Sequence, residues 1–180
     1  MVVECACDVV NSKKIVLGMG MGIISGYSYN QEELTWPEVM RDIRNKYPDI
    51  KQLRTEELHS WLSNPQKKSV FLIDARAKEE FQISHIPEAN NIPYRNKDPL
   101  KYLTNIKPDN PIVIYCSVGY RASILARKLQ ALGFKAVYNL EGSIFKWANE
   151  GRPLVQGKTT VHKVHPYNAH WGSLLQRKYH

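Results

Sequence analysis

Of the three cysteines in this chain, Cys116 is the one whose neighbours could make it reactive. It follows the apolar run PIVIY, Pro111 to Tyr115, and precedes Ser117, Val118, Gly119, Tyr120 and Arg121, after which Ala122 and Ser123 open a helix-like stretch. A short loop that curls in front of a helix N-terminus turns several backbone N–H groups inward, and the helix dipole adds to their field. Such a cradle stabilises a thiolate, a sulfur anion or an oxyanion. Gly119 supplies the backbone freedom that a tight curl demands, and Arg121 adds a positive charge suited to an anionic donor or leaving group. Cys116 is therefore the candidate nucleophile, and Ser117, Val118, Gly119, Tyr120 and Arg121 form the candidate binding loop. A lone cysteine at a strand end is more often an inert apolar side chain than a reactive one, so its surroundings must decide. Cys5 and Cys7 lie two residues apart, and three cysteines are too few for a disulfide framework.

The elements that would position this loop are legible from periodicity. Trp36, Val39, Met40, Ile43 and Tyr47 fall at helical spacing, with Thr35 as N-cap and Pro37 in the first turn, which predicts a helix leading into the domain. Ile50 to Leu53 can form a short strand, and Thr55 is the expected N-cap of a helix from Glu56 through Leu62 that buries Leu58, Trp61 and Leu62. Ser69 to Ile73, Pro111 to Tyr115 and Ala136 to Leu140 read as buried parallel strands. Helix-like segments follow each at Lys78 to Ile83, Ala122 to Leu132 and Gly142 to Glu150, the second ended by Gly133, with a Pro-rich stretch from His85 to Pro99. This alternation predicts an α/β fold with a central, mainly parallel sheet flanked by helices, and in such sheets chemistry gathers at strand ends.

Length and composition fit one buried domain with extensions: 180 residues, 43% hydrophobic and 23% charged. The formal net charge of +8 is mostly a tail property. From Gly151 to His180 there is no Asp or Glu, while Arg152, Lys158, Lys163, Arg177 and Lys178 contribute five positive charges. That distribution does not argue for nucleic acid as a partner. The expected boundaries are an N-terminal arm at 1–30, a leading helix at 31–47, the catalytic domain at 48–155 and a basic extension at 156–180. The extension would pack back through Val164, Tyr167, Trp171 and Leu174, a better reading of its four histidines than a zinc or copper site. Residues 15–26, IVLGMGMGIISG, follow Lys13 and Lys14 and admit two readings. One is a leader or anchor with membrane contact through residues 15–27; the other is a soluble arm on a cytoplasmic protein. The run's shortness and its four glycines weigh against a membrane span.

The loop CSVGYR, the segment LIDARAKEEFQISHIPEANNIPY from Leu72 to Tyr94 and the segment NLEGSIFKWANEGRPLV from Asn139 to Val155 together resemble a single rhodanese domain. The resemblance implies persulfide chemistry at Cys116, with the sulfur held by the backbone amides of residues 117 to 121. It also implies bracing roles for Asp74, Arg76, Glu80 and His85. Dual-specificity phosphatases and arsenate reductases share the fold but use Cys-x5-Arg; here the spacing is Cys-x4-Arg, and Ala122 stands at the phosphatase arginine position. The implied reaction is a two-step sulfur transfer from thiosulfate or a persulfide, small or protein-borne, to a thiol or similar acceptor, with no metal or organic cofactor. Many thiosulfate-using relatives carry Arg directly after the cysteine, whereas this chain has Ser117, which counts against thiosulfate. An interaction module without catalysis remains the alternative of a different class.

Overall fold

Three short runs of β-branched and aromatic residues set the core. β2 (Phe71–Asp74), β4 (Ile112–Tyr115) and β5 (Val137–Leu140) are almost wholly buried, and every side chain of β4 is. Strands apolar on both faces require a layer of helix on each side, which parallel crossovers supply. The structure is a computed structural model that describes residues 34–64 and 70–180. The apolar run at 15–26, Cys5, Cys7 and Ser69 lie outside the described residues. Among the described residues, no helix is long and apolar enough to cross a membrane.

The sheet has five strands in the order β1-β5-β4-β2-β3, with β1 at Lys51–Leu53 and β3 at Asn90–Asn91, and all four pairings are parallel. β4 is its central strand, so Cys116 leaves the carboxyl end of the middle of the sheet. The expected α/β architecture is therefore observed. The helices are α1 (Trp36–Lys46), α2 (Thr55–Leu62), α3 (Lys78–Ile83), α4 (Tyr120–Ala131), α5 (Ser143–Asn149) and the short α6 (Ala169–Gly172). β6 (Val155–Gln156) and β7 (Thr159–Thr160) form an antiparallel hairpin, tied to the domain where His85 and Val155 exchange backbone hydrogen bonds.

Three expectations are corrected. Thr55 is not a cap: Arg54 occupies that position, its N–H bonded to Glu57, while the Thr55 hydroxyl is buried and donates to Glu150. On the same helix Leu58 is fully buried, but Trp61 and Leu62 are only half-buried. α4 begins at Tyr120, two residues before Ala122, because Gly119 turns the chain directly into the helix and its carbonyl accepts from both the N–H and the hydroxyl of Ser123. That places Arg121 in the helix and not in a free loop. In the Pro-rich stretch, Asn90 and Asn91 pair with Ile73 and Asp74 and add an edge strand that periodicity did not show.

The C-terminal extension packs on the domain. Val164, Trp171, Leu174, Leu175 and Tyr179 are buried, whereas Lys158, Lys163, Arg177 and Lys178 face solvent. The Val164 N–H donates to the Tyr179 carbonyl, and the Asn149 side chain clasps the segment by donating to Leu174 O and accepting from Gln176 N–H. Burial of this kind makes the extension part of the fold's stability. Trp171→Ala is expected to lower stability by about 3–5 kcal/mol, as large core truncations do, and Arg177→Gln by less than about 0.5 kcal/mol. Urea denaturation of both variants checks the contrast.

Candidate active site

The chain leaves β4 with its backbone already committed. The Cys116 carbonyl accepts from the Ile144 N–H at 3.1 Å, and the Ser117 carbonyl from the Phe145 N–H at 3.2 Å, so the N-terminus of α5 draws both carbonyls away from the loop. The Cys116 N–H donates to Ser143 Oγ at 3.1 Å, and that hydroxyl donates on to the Leu140 carbonyl at 3.1 Å. Gly142 and Ser143 both have positive φ, 73° and 51°, which swings the α5 amides into this position. A peptide whose carbonyl points outward presents its N–H on the opposite side, and the loop curls accordingly. The Gly119 N–H lies 3.1 Å from Cys116 Sγ and donates to it. α4 starts one residue later, and the first N–H groups of a helix have no acceptor within the helix, so its N-terminal field falls on the same sulfur.

Gly119 has no substitute in this curl. Its φ is +130°, and a Cβ there would come within 2.9 Å of Ile43 Cδ1 and 3.1 Å of Asn139 Nδ2. α1 thus approaches the loop from outside, and the Tyr120 hydroxyl donates to Asp42 Oδ2 at 2.6 Å. Residues 116 to 121 are all buried, Cys116 to 1% exposure.

Arg121 is placed differently from what its type suggested. Its guanidinium donates to both Glu80 oxygens, at 2.6 and 2.8 Å, and to Ser117 Oγ at 2.8 Å. Glu80 lies on α3, and its Oε2 also accepts from the Ala77 N–H at the start of that helix. Arg121 therefore holds the loop closed against α3, and its charge is matched by a carboxylate in place of being directed at an incoming anion. Burial by itself would push the Glu80 carboxyl up, but the hydrogen bonds and charge of Arg121 outweigh it and hold the group below its ordinary value. Of the residues expected to brace the domain, Glu80 thus acts on the loop itself. Asp74 and Arg76 pair with each other at 2.7 Å in full burial, and Arg76 Nη2 also donates to Ser84 O at 2.6 Å. His85 stacks on Phe81 with its ring nitrogen against the Phe81 carbonyl.

The structure brings Cys116 to Arg121 together as one curl. It adds Glu80, Ser143, Asp42, Asn139 and Ile43 as supports that sequence reasoning did not assign to the loop. Ser143 was the most accessible of these: Gly142-Ser143, one residue past a strand, is a turn signal at the head of a helix. Among the described residues, no three His, Cys, Asp or Glu side chains converge as a metal site would require.

Comparison with known proteins identifies the family and the fold. The family model described as rhodanese-like domain matches residues 55–150. A sulfurtransferase from Allochromatium vinosum is 31% identical over 106 residues, covering 59% of this chain and 95% of that protein. A rhodanese-like/PpiC domain-containing protein 12, chloroplastic, from Arabidopsis thaliana is 33% identical over 109 residues, 59% of this chain but only 36% of that protein's length. Among solved structures, a rhodanese-related protein from Thermoplasma volcanium superposes with a TM-score of 0.50 at 22% identity, covering 59% of this chain and 98% of that one, which supports the fold alone.

The Glu80–Arg121 pair gives a direct test. Glu80→Gln leaves a buried guanidinium without its counter-charge and is expected to cost about 3–5 kcal/mol at neutral pH. Because the Glu80 pKa is depressed in the folded protein, the pair's contribution is complete above the ordinary carboxylate range and is lost as pH falls through the lower folded value. The stability gap between wild type and Glu80→Gln, followed by urea titration from pH 7 downward, should therefore hold until about pH 4.5 and narrow below it.

Proposed function

Because the chain belongs to the rhodanese-like domain family, we propose that it is a sulfurtransferase that carries a sulfane sulfur as a persulfide on Cys116. The observation that carries this reading is the Gly119 N–H aimed at Cys116 Sγ at 3.1 Å, at the mouth of the central strand and in front of α4. In the first step the Cys116 thiolate attacks the outer sulfur of the donor. A new S–S bond forms on Cys116, the donor's own bond to that sulfur breaks, and the donor leaves with the electron pair as a thiolate or, from thiosulfate, as sulfite. In the second step an acceptor thiolate takes the terminal sulfur and Cys116 departs as thiolate. Amides aimed at the sulfur stabilise the anionic persulfide between the steps, in the manner of an oxyanion hole. Each step is an exchange at sulfur of the kind that interconverts thiols and disulfides, and this chain's residues suffice for it.

The donor is better read as a persulfide than as thiosulfate. Ser117 follows Cys116 in place of a cation, and Arg121 is held by Glu80. A dianionic donor would find Arg121 already matched by a carboxylate, whereas a persulfide brings a single charge on the sulfur to be transferred.

Intact-mass measurement after brief exposure to glutathione persulfide should show one added sulfur atom, removed by cyanide and missing in Cys116→Ser. No adduct from any sulfane donor would end the sulfurtransferase reading and leave an interaction module on this fold. With Arg121 held by Glu80, kcat/KM for glutathione persulfide should exceed that for thiosulfate by about tenfold, the equivalent of one charge-assisted contact of ~1.4 kcal/mol. Steady-state thiocyanate formation with each donor reads that difference.

A further inference from the structure

Residues 161 to 179 lie beyond the segment matched to the family, yet they touch the reactive loop at two points. The Tyr167 ring lies 4.7 Å from the Arg121 guanidinium, and the Trp171 ring meets the Tyr120 ring edge-on at 5.5 Å between centroids. Tyr167 is held there by an unusual backbone. Its φ is +66°, and the Asn168 N–H turns back to the Pro166 carbonyl at 2.9 Å, closing a three-residue turn that an ordinary side chain disfavours. The Tyr167 N–H is taken up by His165 Nδ1 at 2.9 Å. Both ends of the segment are fixed, by the Val164–Tyr179 backbone bond on one side and by the Asn149 clasp on the other.

Strain of this kind persists only where the surroundings enforce it, and it gathers where a side chain must be held in one place for function. Here the strained residue is half-buried and its ring caps the face of the arginine that closes the Cys116 loop. α1 also reaches the loop, Asp42 at the Tyr120 hydroxyl and Ile43 beside Gly119. The sulfur therefore sits in a loop that is buried throughout, walled partly by elements from outside the matched segment. A ring over Arg121 and another against Tyr120 add bulk beside the loop, which a thiol borne on a folded protein meets before a small thiol does.

Resting on the reading of Cys116 as a sulfur carrier, we propose that Tyr167 is a specificity-determining residue: with Trp171 it walls the rim of the loop and restricts Cys116 to small sulfane-sulfur donors and small thiol acceptors, to the exclusion of protein thiols. The test is alkylation of Cys116 in the full chain, followed by peptide mass spectrometry so that Cys5 and Cys7 are scored separately, using N-ethylmaleimide and a maleimide bearing a polyethylene-glycol chain. The ratio of the two rates at Cys116, divided by their ratio on free glutathione, should exceed about tenfold in wild type, since a recessed thiol reacts according to access. Tyr167→Gly suits the positive φ and removes the side chain while Trp171 and α1 stay in place, so it should lower that ratio by about threefold or more, while Tyr167→Phe should keep it. Equal rates at Cys116 in wild type, or an unchanged ratio in Tyr167→Gly, would overturn the proposal. Loading of the same samples with glutathione persulfide reads sulfur carriage separately: the expected alkylation pattern without any loading would count against the carrier role and not against the wall.

Discussion

The curl of residues 116 to 121 depends on where two carbonyls go. Ile144 and Phe145, at the head of α5, take the carbonyls of Cys116 and Ser117, and the loop then turns the Gly119 N–H onto the sulfur. Ser143 finishes the arrangement by accepting from the Cys116 N–H and donating back to β5. α5 therefore does for the carbonyl side of the loop what α4 does for the amide side: one helix N-terminus supplies donors that hold the backbone, and the other supplies a field toward the sulfur. Neither helix needs a charged side chain for this, so the cradle is built into the strand-loop-helix geometry of a parallel sheet.

Charge enters as a clamp. Arg121 and Glu80 join α4 to α3 through a two-pronged pair that also captures the Ser117 hydroxyl, and both partners are nearly removed from water. A buried pair of this kind adds little net stability relative to apolar packing, but losing either partner is costly, and this makes the loop's shape an all-or-none property. The same pair sets a carboxylate against the arginine beside the loop, so the two charges offset each other there. Sequence spacing identified Arg121 as the loop's cation; the fold shows that the cation is occupied.

Much of the architecture could be read from local pattern. The runs at Ser69 to Ile73, Pro111 to Tyr115 and Ala136 to Leu140 and the helices between them announced the parallel sheet, whose strands are Phe71–Asp74, Ile112–Tyr115 and Val137–Leu140, and Cys116 was singled out by its place between strand and helix. What escaped the sequence shares one physical character, long-range pairing. Glu80 lies 41 residues before Arg121, Ser143 lies 27 after Cys116, and Asp42 lies 78 before Tyr120. No periodicity links such positions: Glu80 was marked only as a brace of the domain, Ser143 only by the turn it shares with Gly142, and Asp42 only as a polar residue of a helix. The two-residue strand at Asn90–Asn91 was hidden for a related reason, since asparagine has low strand propensity and its pairing is enforced by the neighbouring β2. Thr55 misled because threonine suits both an N-cap and a buried hydroxyl, and Glu150 decided between them.

The account's central claim is that the amides of the 116–121 curl hold a sulfur anion on Cys116. The measurement that addresses it most directly is a crystal structure of the protein loaded with polysulfide under anaerobic conditions. The account predicts one added sulfur on Cys116 Sγ, seated inside the curl within about 3.5 Å of several backbone nitrogens of residues 117 to 121, since hydrogen bonds to sulfur run longer than those to oxygen. A loaded sulfur on a different cysteine, or one on Cys116 that points out of the curl with no amide within reach, would contradict it.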